Sequence, residues 1–350
     1  MAQKYDISPE KEGSKLQFFR RQFLETPKPV KPGEVDLTGK TALVTGCNGG
    51  VGLECCRQLR ALGLSRLILA VRDTAKGQRA VDDLAKAPHP HSTMEVWKLD
   101  MSSYESIGLL VERAKSLDRI DIVVLNAAIT RLNWTCNQAT GHEENIQVNY
   151  LSTMLLTTQL LPVLKSKIPV QAGPSRLVIV TSDAAAWTTF PEQDEDPLLP
   201  ALDKPGKIDM TNRHFTSKLM QLFFLQELAN RVPPTTAIIT ATTPGLVHST
   251  MSTRDLQGTV AGFFSRIALR LIGYSPEVGA RQLVDASVKH GTDIHGQYLC
   301  SQRPKPLPPI VYQPKGKLIS ERLWRETMLE LSFANVEDII RQAGNIDGNN

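Results

Sequence analysis

The stretch TGCNGGVG, Thr45–Gly52, follows a short β-branched run and precedes a segment with helical periodicity. Gly46 permits the tight turn after a strand, while Gly50 and Gly52 let the backbone approach a pyrophosphate at a helix N-terminus. A strand-to-helix turn without a ligand also uses glycine, but this context favours a dinucleotide site. The loop residues that we assign to cofactor binding are Gly46, Asn48, Gly50, Val51 and Gly52.

The sequence around this loop alternates between short apolar runs and longer helical stretches. Strands that are apolar throughout, rather than at every second residue, are typical of a parallel sheet covered on both faces. The pattern therefore predicts an α/β fold with a doubly wound parallel sheet, the Rossmann arrangement. The predicted strands are Thr41–Thr45, Arg66–Val71, Met94–Asp100, Ile120–Ala128, Ser175–Ser182 and Thr235–Thr242.

A chain of 350 residues is long enough for a single large domain with extensions at both ends. We place the sheet domain at residues 37–302, after a Pro-rich connector. The N-terminal extension, 1–36, contains a short amphipathic helix, and the C-terminal extension, 303–350, contains a helix near Glu321–Leu331. A largely apolar segment at about 250–273 is predicted to form a lid over the substrate.

Composition argues against several classes of function. The net charge of +4, with no basic block interleaved with aromatic residues, makes no case for a nucleic-acid partner. No apolar stretch reaches the roughly 18 residues of a membrane span, and the N-terminus has no apolar signal-peptide core. The five cysteines are odd in number and scattered, which favours a reducing compartment, so we expect a cytoplasmic protein. The histidines have no metal-ligand spacing with cysteines or carboxylates, so we expect no metal.

Two amphipathic segments allow two interpretations. The segment SKLQFFRRQFL, Ser14–Leu24, places Leu16, Phe19 and Phe23 on one helical face, and Gly258–Gly273 is apolar with two arginines. Such segments either pack their apolar face on the body of the protein or touch a membrane surface weakly. We expect packing and keep weak membrane-surface contact as the alternative.

The end of the second strand, in LAVRD, bears on the choice between NAD and NADP. An acidic side chain here accepts hydrogen bonds from a ribose 2′-hydroxyl, whereas a guanidinium suits a 2′-phosphate. Arg72 follows the strand and Lys76 lies one turn later, so the sequence favours NADP. In the alternative, Asp73 faces the ribose and Arg72 is only solvated.

At the ends of the next two strands, Asp100 is predicted to accept from the adenine amino group, and Asn126 to hold the strand ends or the adenosine ribose.

Taken in order, these residues resemble the short-chain dehydrogenase/reductase family. The resemblance covers about Leu37 to Leu299. The phrases FFRRQFLETP, LAVRDTAKG, SKLMQLFFLQELANR and HGQYL look like the retinol-dehydrogenase-like branch common in filamentous fungi, whose members often serve secondary-metabolite pathways. The matching motifs are the Thr45–Gly52 loop, Asp100, NAA at Asn126–Ala128, Asn149 in VNY, Ser182, Lys218 and PGLVHS at Pro244–Ser249.

The resemblance implies a role for each matching residue. Ser182 would hydrogen-bond the substrate carbonyl or hydroxyl, and Asn149 would hold a water of a proton relay. Lys218 would bind the nicotinamide ribose and lower a neighbouring pKa, while Val247 and Ser249 would contact the nicotinamide end. The resemblance also implies a small-molecule substrate and, because the family often pairs through its long central helices, a homo-oligomer.

The family's catalytic Tyr, four residues before Lys218, is replaced by His214 in this chain. His214 and Lys218 are i and i+4 on one predicted helix, so they share a face. A second positive charge beside Lys218 is disfavoured, and a neutral imidazole is a better general base than a proton donor.

Three hypotheses follow for the reaction. In the first, the protein is an NADP(H)-dependent reductase or dehydrogenase, and either His214 or water held through Asn149 and Lys218 delivers the proton. In the second, His214 is the base and Ser182 the hydrogen-bond donor of a redox-neutral isomerisation, dehydration or cyclisation. In the third, the protein binds a nucleotide without chemistry, against which the joint presence of Ser182, Lys218 and Asn149 argues.

The substrate is the least defined part of the prediction. Trp187 and Phe190, in the loop after Ser182, and the apolar stretch Val260–Leu271 either line a pocket for a bulky, mostly apolar molecule or pack within the protein.

Overall fold

Eight strands form the central sheet in the computed structural model, which describes residues 5–87, 92–171, 173–248 and 269–345. The strands are β1 Thr41–Thr45, β2 Arg66–Val71, β3 Thr93–Lys98, β4 Ile122–Leu125, β5 Ser175–Val180, β6 Ala237–Thr242, β7 Tyr298–Cys300 and β8 Arg303–Lys305. Their order across the sheet is β3-β2-β1-β4-β5-β6-β7-β8. All neighbouring strands are parallel except β7 and β8. The predicted doubly wound α/β sheet is confirmed.

Helices cover both faces of this sheet. They are α1 Pro9–Glu12, α2 Lys15–Leu24, α3 Gly50–Ala61, α4 Thr74–Ala85, α5 Tyr104–Lys115, α6 Ser152–Lys167, α7 Leu198–Leu202, α8 Met210–Ala229, α9 Pro276–Val288, α10 Pro314–Glu330 and α11 Val336–Gly344. In β1, Leu43 packs in one apolar layer with α5, α6, α8 and α10, whereas Ala42 and Val44 pack in the other with α3, α4 and α9. Successive strand residues point to opposite faces, so burial of both faces explains the continuous apolar runs.

The six predicted strands all form, although most are shorter than predicted. The sheet also continues beyond the expected domain limit at residue 302, because β8 pairs with β7. These two strands have three residues each, which is too short to give a periodic signal in the sequence. After them, α10 contributes Ile319 and Leu323 to the main core. The residues after 302 therefore pack as part of the same body.

The amphipathic helix of the N-terminal extension forms as α2, but it buries a different face from the one we expected. Phe18, Arg21 and Gln22 are buried, whereas Leu16 is 83% and Phe23 58% exposed. Arg21 and Gln22 are buried because both find ion-pair or hydrogen-bond partners beneath the helix. The expectation that the face containing Leu16 and Phe23 packs on the protein is therefore wrong for the described residues.

The second amphipathic segment, Gly258–Gly273, and the predicted lid lie mostly outside the described residues. Within the described ranges, no helix combines the length and the apolar character that crossing a membrane requires.

A buried histidine connects the C-terminal part of the chain to the loop before α6. Nδ1 of His142 lies 2.7 Å from Oδ2 of Asp203, and Nε2 lies 3.0 Å from Oε1 of Glu330, at the end of α10. Burial disfavours the charged imidazole, but the hydrogen bonds and charges of Asp203 and Glu330 outweigh it and raise the pKa of His142 to about 9. A protonated His142 therefore holds two carboxylates from separate segments together.

We expect the stabilisation from His142 to be present at neutral pH and lost in alkali. The pKa is raised in the folded state, so the stabilisation is complete below the ordinary value of 6.5 and disappears as the pH rises through about 9. A shift of this size corresponds to roughly 3 kcal/mol. Urea unfolding of the wild type and of His142→Gln at pH 6, 8 and 10 measures it. A difference in unfolding free energy that does not shrink between pH 6 and 10 would contradict the assignment.

Candidate active site

The glycine loop between β1 and α3 has the geometry of a nucleotide-binding turn. Gly46 has φ +66°, and a Cβ there would lie 2.7 Å from Cα of Ala127. A Cβ on Gly52 would lie 2.5 Å from Nδ2 of Asn126. Gly49, the N-cap of α3, has no side chain to cap the first N–H groups of this helix. These N–H groups and the close backbone approach fit the pyrophosphate of a dinucleotide.

Asn126 fixes this loop against the next strand of the sheet. Its Nδ2 donates to the carbonyl oxygens of Thr45 at 3.0 Å and Gly46 at 3.1 Å. Of the two roles predicted for Asn126, the geometry favours holding the strand ends.

Asp100 accepts at Oδ1 from the backbone N–H and the hydroxyl of Ser102, at 3.0 and 2.6 Å. This bonding fixes the orientation of the Asp100 carboxylate at the end of β3.

Arg72 and Asp73, at the end of β2, have different environments. Asp73 is the N-cap of α4, and its carboxylate accepts from the backbone N–H of Lys76 at 3.0 Å. Arg72 is exposed, and within the described ranges its guanidinium makes no hydrogen bond or ion pair. One oxygen of this carboxylate thus caps the helix, whereas the guanidinium is available at the sheet edge.

Asn149 lies in a single turn of π-helix, Ile146–Leu151, that precedes α6. Its Oδ1 accepts from the N–H of Ile129 at 2.8 Å, and its Nδ2 donates to the carbonyl of Ile129 and to Oγ of Ser217, at 3.0 and 3.1 Å. Its backbone carbonyl accepts from Gln221 at 2.6 Å. Wide helical turns of this kind are frequent at functional sites. Here the turn connects the loop after β4 to α8.

His214 and Lys218 lie one turn apart on α8. Nδ1 of His214 is 3.2 Å from the carbonyl oxygen of Ile129 and 3.4 Å from Oγ1 of Thr130. Burial, together with the positive charge of Lys218, lowers the pKa of His214 to about 3. The ordinary value of 6.5 is already below 7, so any downward shift leaves the imidazole neutral at neutral pH.

The carbonyl of Ile129, which can only accept, favours the tautomer of His214 that carries its proton on Nδ1. Asn149 and the imidazole both face the carbonyl of Ile129, which can accept from both. With the proton on Nδ1 donated to that carbonyl, Nε2 carries the lone pair and accepts hydrogen bonds but does not donate them. His214 in this state lacks the proton that a Tyr hydroxyl would offer to an alkoxide.

Lys218 is buried, and its Nζ donates to the carbonyl of Val180, at the end of β5, at 2.9 Å. Burial lowers its pKa to about 7. The lysine therefore changes protonation state close to neutral pH, where a group that exchanges protons with a substrate is most effective.

Ser182 follows β5 and caps the 3₁₀ turn Asp183–Trp187. Its Oγ accepts from the N–H of Ala184 at 3.2 Å, which leaves the hydroxyl proton available to donate. The neighbouring Thr181 donates to the carbonyl of Lys218 at 3.2 Å. The end of β5, α8 and the π-helical turn thus place Ser182, Lys218, Asn149 and His214 at one edge of the sheet.

The aromatic residues after Ser182 pack inside the protein. Trp187 donates through Nε1 to the carbonyl of Gly13 and contacts the rings of Phe18 and Phe215 edge-on. Phe190 is fully buried in the main core. The geometry favours the packing interpretation for both Trp187 and Phe190.

The remaining predicted cofactor contacts lie after β6. Val247 is buried and forms a bridge with Tyr274. Ser249, the other nicotinamide contact that we predicted, lies outside the described residues.

The sequence did not predict that Thr130 and the carbonyl of Ile129 contact His214. A backbone acceptor leaves no signal in the residue type.

Comparisons with known proteins agree with this architecture. Residues 40–191 match the family model described as short chain dehydrogenase. The chain is 44% identical over 347 residues to the short-chain dehydrogenase fogG of Aspergillus ruber, covering 97% of this chain and 99% of that protein. It is 42% identical over 325 residues to the short chain dehydrogenase/reductase mfmJ of Annulohypoxylon moriforme, covering 93% of each chain.

Solved structures support the fold. Salutaridine reductase from Papaver somniferum aligns with a TM-score of 0.55 at 21% identity, over 74% of this chain and 99% of that one. A short-chain type dehydrogenase/reductase from Mycobacterium marinum aligns with a TM-score of 0.57 at 17% identity, over 75% of this chain and 94% of that one. With near-full-length relatives above 40% identity, this chain belongs to the short-chain dehydrogenase/reductase family of oxidoreductases.

Proposed function

We propose that the protein is an NADP(H)-dependent reductase or dehydrogenase that interconverts a carbonyl and a hydroxyl group on a bulky, mostly apolar small molecule, in secondary metabolism. The observation that carries the reaction type is the group of Ser182, Asn149 and Lys218 at the same edge of the sheet as the glycine loop. The metabolic role rests on the resemblance to the fungal branch of the family.

The preference for NADP is supported by the contrast between Arg72 and Asp73. Asp73 directs one carboxylate oxygen to the N-terminus of α4, while the guanidinium of Arg72 is unpaired within the described residues. A guanidinium binds a phosphate through two parallel charge-assisted hydrogen bonds. A solved structure described as an NAD(P)-dependent gluconate 5-dehydrogenase from Beutenbergia cavernae, 19% identical to this chain, contains bound NADP at low occupancy.

We expect Arg72→Gln to weaken NADPH binding roughly 10- to 100-fold, because a hydrogen bond to a charged group contributes about 1.5–3 kcal/mol. Affinity for NADH, which lacks the 2′-phosphate, should stay within a factor of two or so of the wild type. Fluorescence titration of both cofactors measures the ratio. Arg79→Gln, at an exposed arginine within the following helix α4, is the matched control. Equal losses for NADPH and NADH would contradict this role for Arg72.

In the proposed reaction, each of the site residues has a separate role. When bound, NADPH supplies a hydride to the substrate carbonyl carbon. Ser182 donates a hydrogen bond to the substrate oxygen and orients it. Lys218 holds the proton and delivers it to that oxygen through water, and Asn149 would hold this water. His214, with its lone pair on Nε2, orients the substrate or this water as an acceptor.

The low pKa of His214 weighs against the redox-neutral alternative. A general base works best when its pKa lies near the operating pH, and a base with a pKa of about 3 removes a proton from carbon poorly. The same low value weighs against His214 as the acid of the reductase. The delivery of the proton through Lys218 and water is the remaining branch of the reductase hypothesis.

The proposal is tested by incubating the purified protein with NADPH and a panel of aromatic and polycyclic ketones and aldehydes. We expect NADPH to be oxidised in equal molar amount to the alcohol formed, as absorbance and chromatography would show. A product that forms without NADPH oxidation would establish redox-neutral chemistry instead. NADPH binding without turnover of any carbonyl or alcohol would favour a binding role.

A further inference from the structure

The helix α2 contacts the turn that contains Ser182 through a buried arginine. The side chain of Arg21 is 6% exposed, and its Nη2 lies 2.7 Å from Oδ1 of Asp183, the residue after Ser182. Its Nη1 lies 2.5 Å from Oε1 of Glu12, which is also buried. One guanidinium thus joins the N-terminal extension to the first residue of the 3₁₀ turn.

Asp183 is also held by the residue that follows β6 and by two residues of β7. Its Oδ2 accepts from the hydroxyl of Thr243 at 2.7 Å, and its Oδ1 accepts from the hydroxyl of Tyr298 at 3.2 Å. The thiol of Cys300 lies 3.4 Å from the same oxygen. With Arg21 these contacts fix the carboxylate, and the backbone that carries Ser182 is fixed with it.

The far end of the same 3₁₀ turn also rests on the N-terminal extension. Nε1 of Trp187 donates to the carbonyl of Gly13 at 3.1 Å, and the ring of Phe18 packs edge-on against Trp187 with centroids 4.9 Å apart. The turn after Ser182 is therefore held at both ends by residues 13–21.

The next residue of α2 holds a second loop of the candidate site. Nε2 of Gln22 donates to the carbonyls of Leu246 and Ile272, at 3.0 and 3.1 Å, and its Oε1 accepts from the N–H of Leu246 at 3.1 Å. The hydroxyl of Tyr274 donates to the carbonyls of Arg21 and Glu25. Leu246 precedes Val247, to which we assigned contact with the nicotinamide end of the cofactor.

We propose that α2 positions two loops of the active site. Arg21 positions Ser182 through Asp183, and Gln22 positions the loop at Leu246 and Val247. Neither residue touches the reacting atoms in this assignment, so both are positioning residues. The inference rests on the proposed function, because it takes Ser182 as the hydrogen-bond donor and Val247 as a cofactor contact.

The first experiment measures the cofactor loop without requiring a substrate. We expect Gln22→Ala to raise the NADPH dissociation constant about tenfold, since it removes three hydrogen bonds. We also expect faster hydrogen–deuterium exchange at the amides of 245–247, where Leu246 N–H loses its acceptor. Gln17→Ala, on the same helix, is the control. Unchanged exchange and an unchanged dissociation constant would overturn this half of the inference.

The second experiment measures the turn at Ser182. Removal of the guanidinium would leave two buried carboxylates without its positive charge and endanger folding. We therefore choose Arg21→Lys, which keeps the charge but cannot bridge both carboxylates. We expect kcat per NADPH-binding site to fall about tenfold, with little change in the NADPH dissociation constant and faster exchange at 183–187. Arg20→Lys, at the exposed neighbour, is the control.

The outcomes separate three cases. A lower melting temperature with unchanged kcat in Arg21→Lys would indicate a structural role only and overturn the inference. If Ser182→Ala abolishes activity while Arg21→Lys leaves it intact, the inference fails and the proposed function stands. If Ser182→Ala leaves activity intact, the proposed donor is wrong, whatever Arg21→Lys does.

Discussion

Replacement of Lys218 by Met should lower the rate of carbonyl reduction roughly 10²- to 10⁴-fold, the range associated with loss of a positioned proton-transfer group. Met is close in length to Lys and resembles its apolar stem, and the side chain lies in a buried site, so we expect the variant to fold. Steady-state kinetics with the wild-type substrate, normalised to NADPH-binding sites, gives the effect on kcat.

The pH dependence of the wild-type rate follows from the same group. Burial lowers the pKa of Lys218 to about 7, so the proton that reduction needs is present below that pH and is lost above it. We expect kcat/KM for reduction to be level in mild acid and to fall about tenfold per pH unit above roughly 7, whereas alcohol oxidation should rise over the same range. The inflection should disappear in Lys218→Met.

His214→Phe provides the comparison on the same face of α8. Because His214 is neutral and acts as an acceptor in this mechanism, we expect a loss of no more than about tenfold and an unchanged inflection. If the inflection disappears in His214→Phe and persists in Lys218→Met, the imidazole carries the proton and our assignment is wrong.

We expect Gly52→Ala to weaken NADPH binding by roughly 10- to 100-fold, while Gly49→Ala in the same loop has little effect. A Cβ on Gly52 would meet Nδ2 of Asn126 at 2.5 Å, the carbonyl of Gly46 at 2.8 Å and Cα of Cys47 at 2.9 Å. Two of these neighbours are backbone atoms that cannot move aside. Such overpacking costs about 1–3 kcal/mol. The loop can avoid this cost only by leaving the position that a pyrophosphate needs.

Gly49 is a matched control because a Cβ there has no neighbour within 4 Å and its φ of 173° is open to any residue. Titration with NADPH and thermal unfolding of both variants measure the contrast. Equal affinities for Gly52→Ala and the wild type would show that the loop does not bind the cofactor in this conformation.

The sequence by itself determined the sheet, and it predicted a site at the carboxyl ends of the strands. Apolar runs, helical segments and glycines at Gly46 and Gly52 act over a few neighbouring residues, so their meaning can be read locally. The parallel order of the strands brings their carboxyl ends to one edge. The roles of Ser182 and Lys218 at this edge rest on the resemblance of their motifs to the family.

Only the tertiary structure decided how those residues behave. The face that α2 buries depends on Asp183 and Leu246, more than 160 positions away in the chain, and the apolar pattern of the helix pointed to the opposite face. The pKa of Lys218 and the tautomer of His214 depend on burial and on the carbonyl oxygens of Val180 and Ile129. Every residue carries the same backbone carbonyl group, so the sequence does not show which carbonyl will face a given side chain. Burial likewise depends on which segments pack together in the fold.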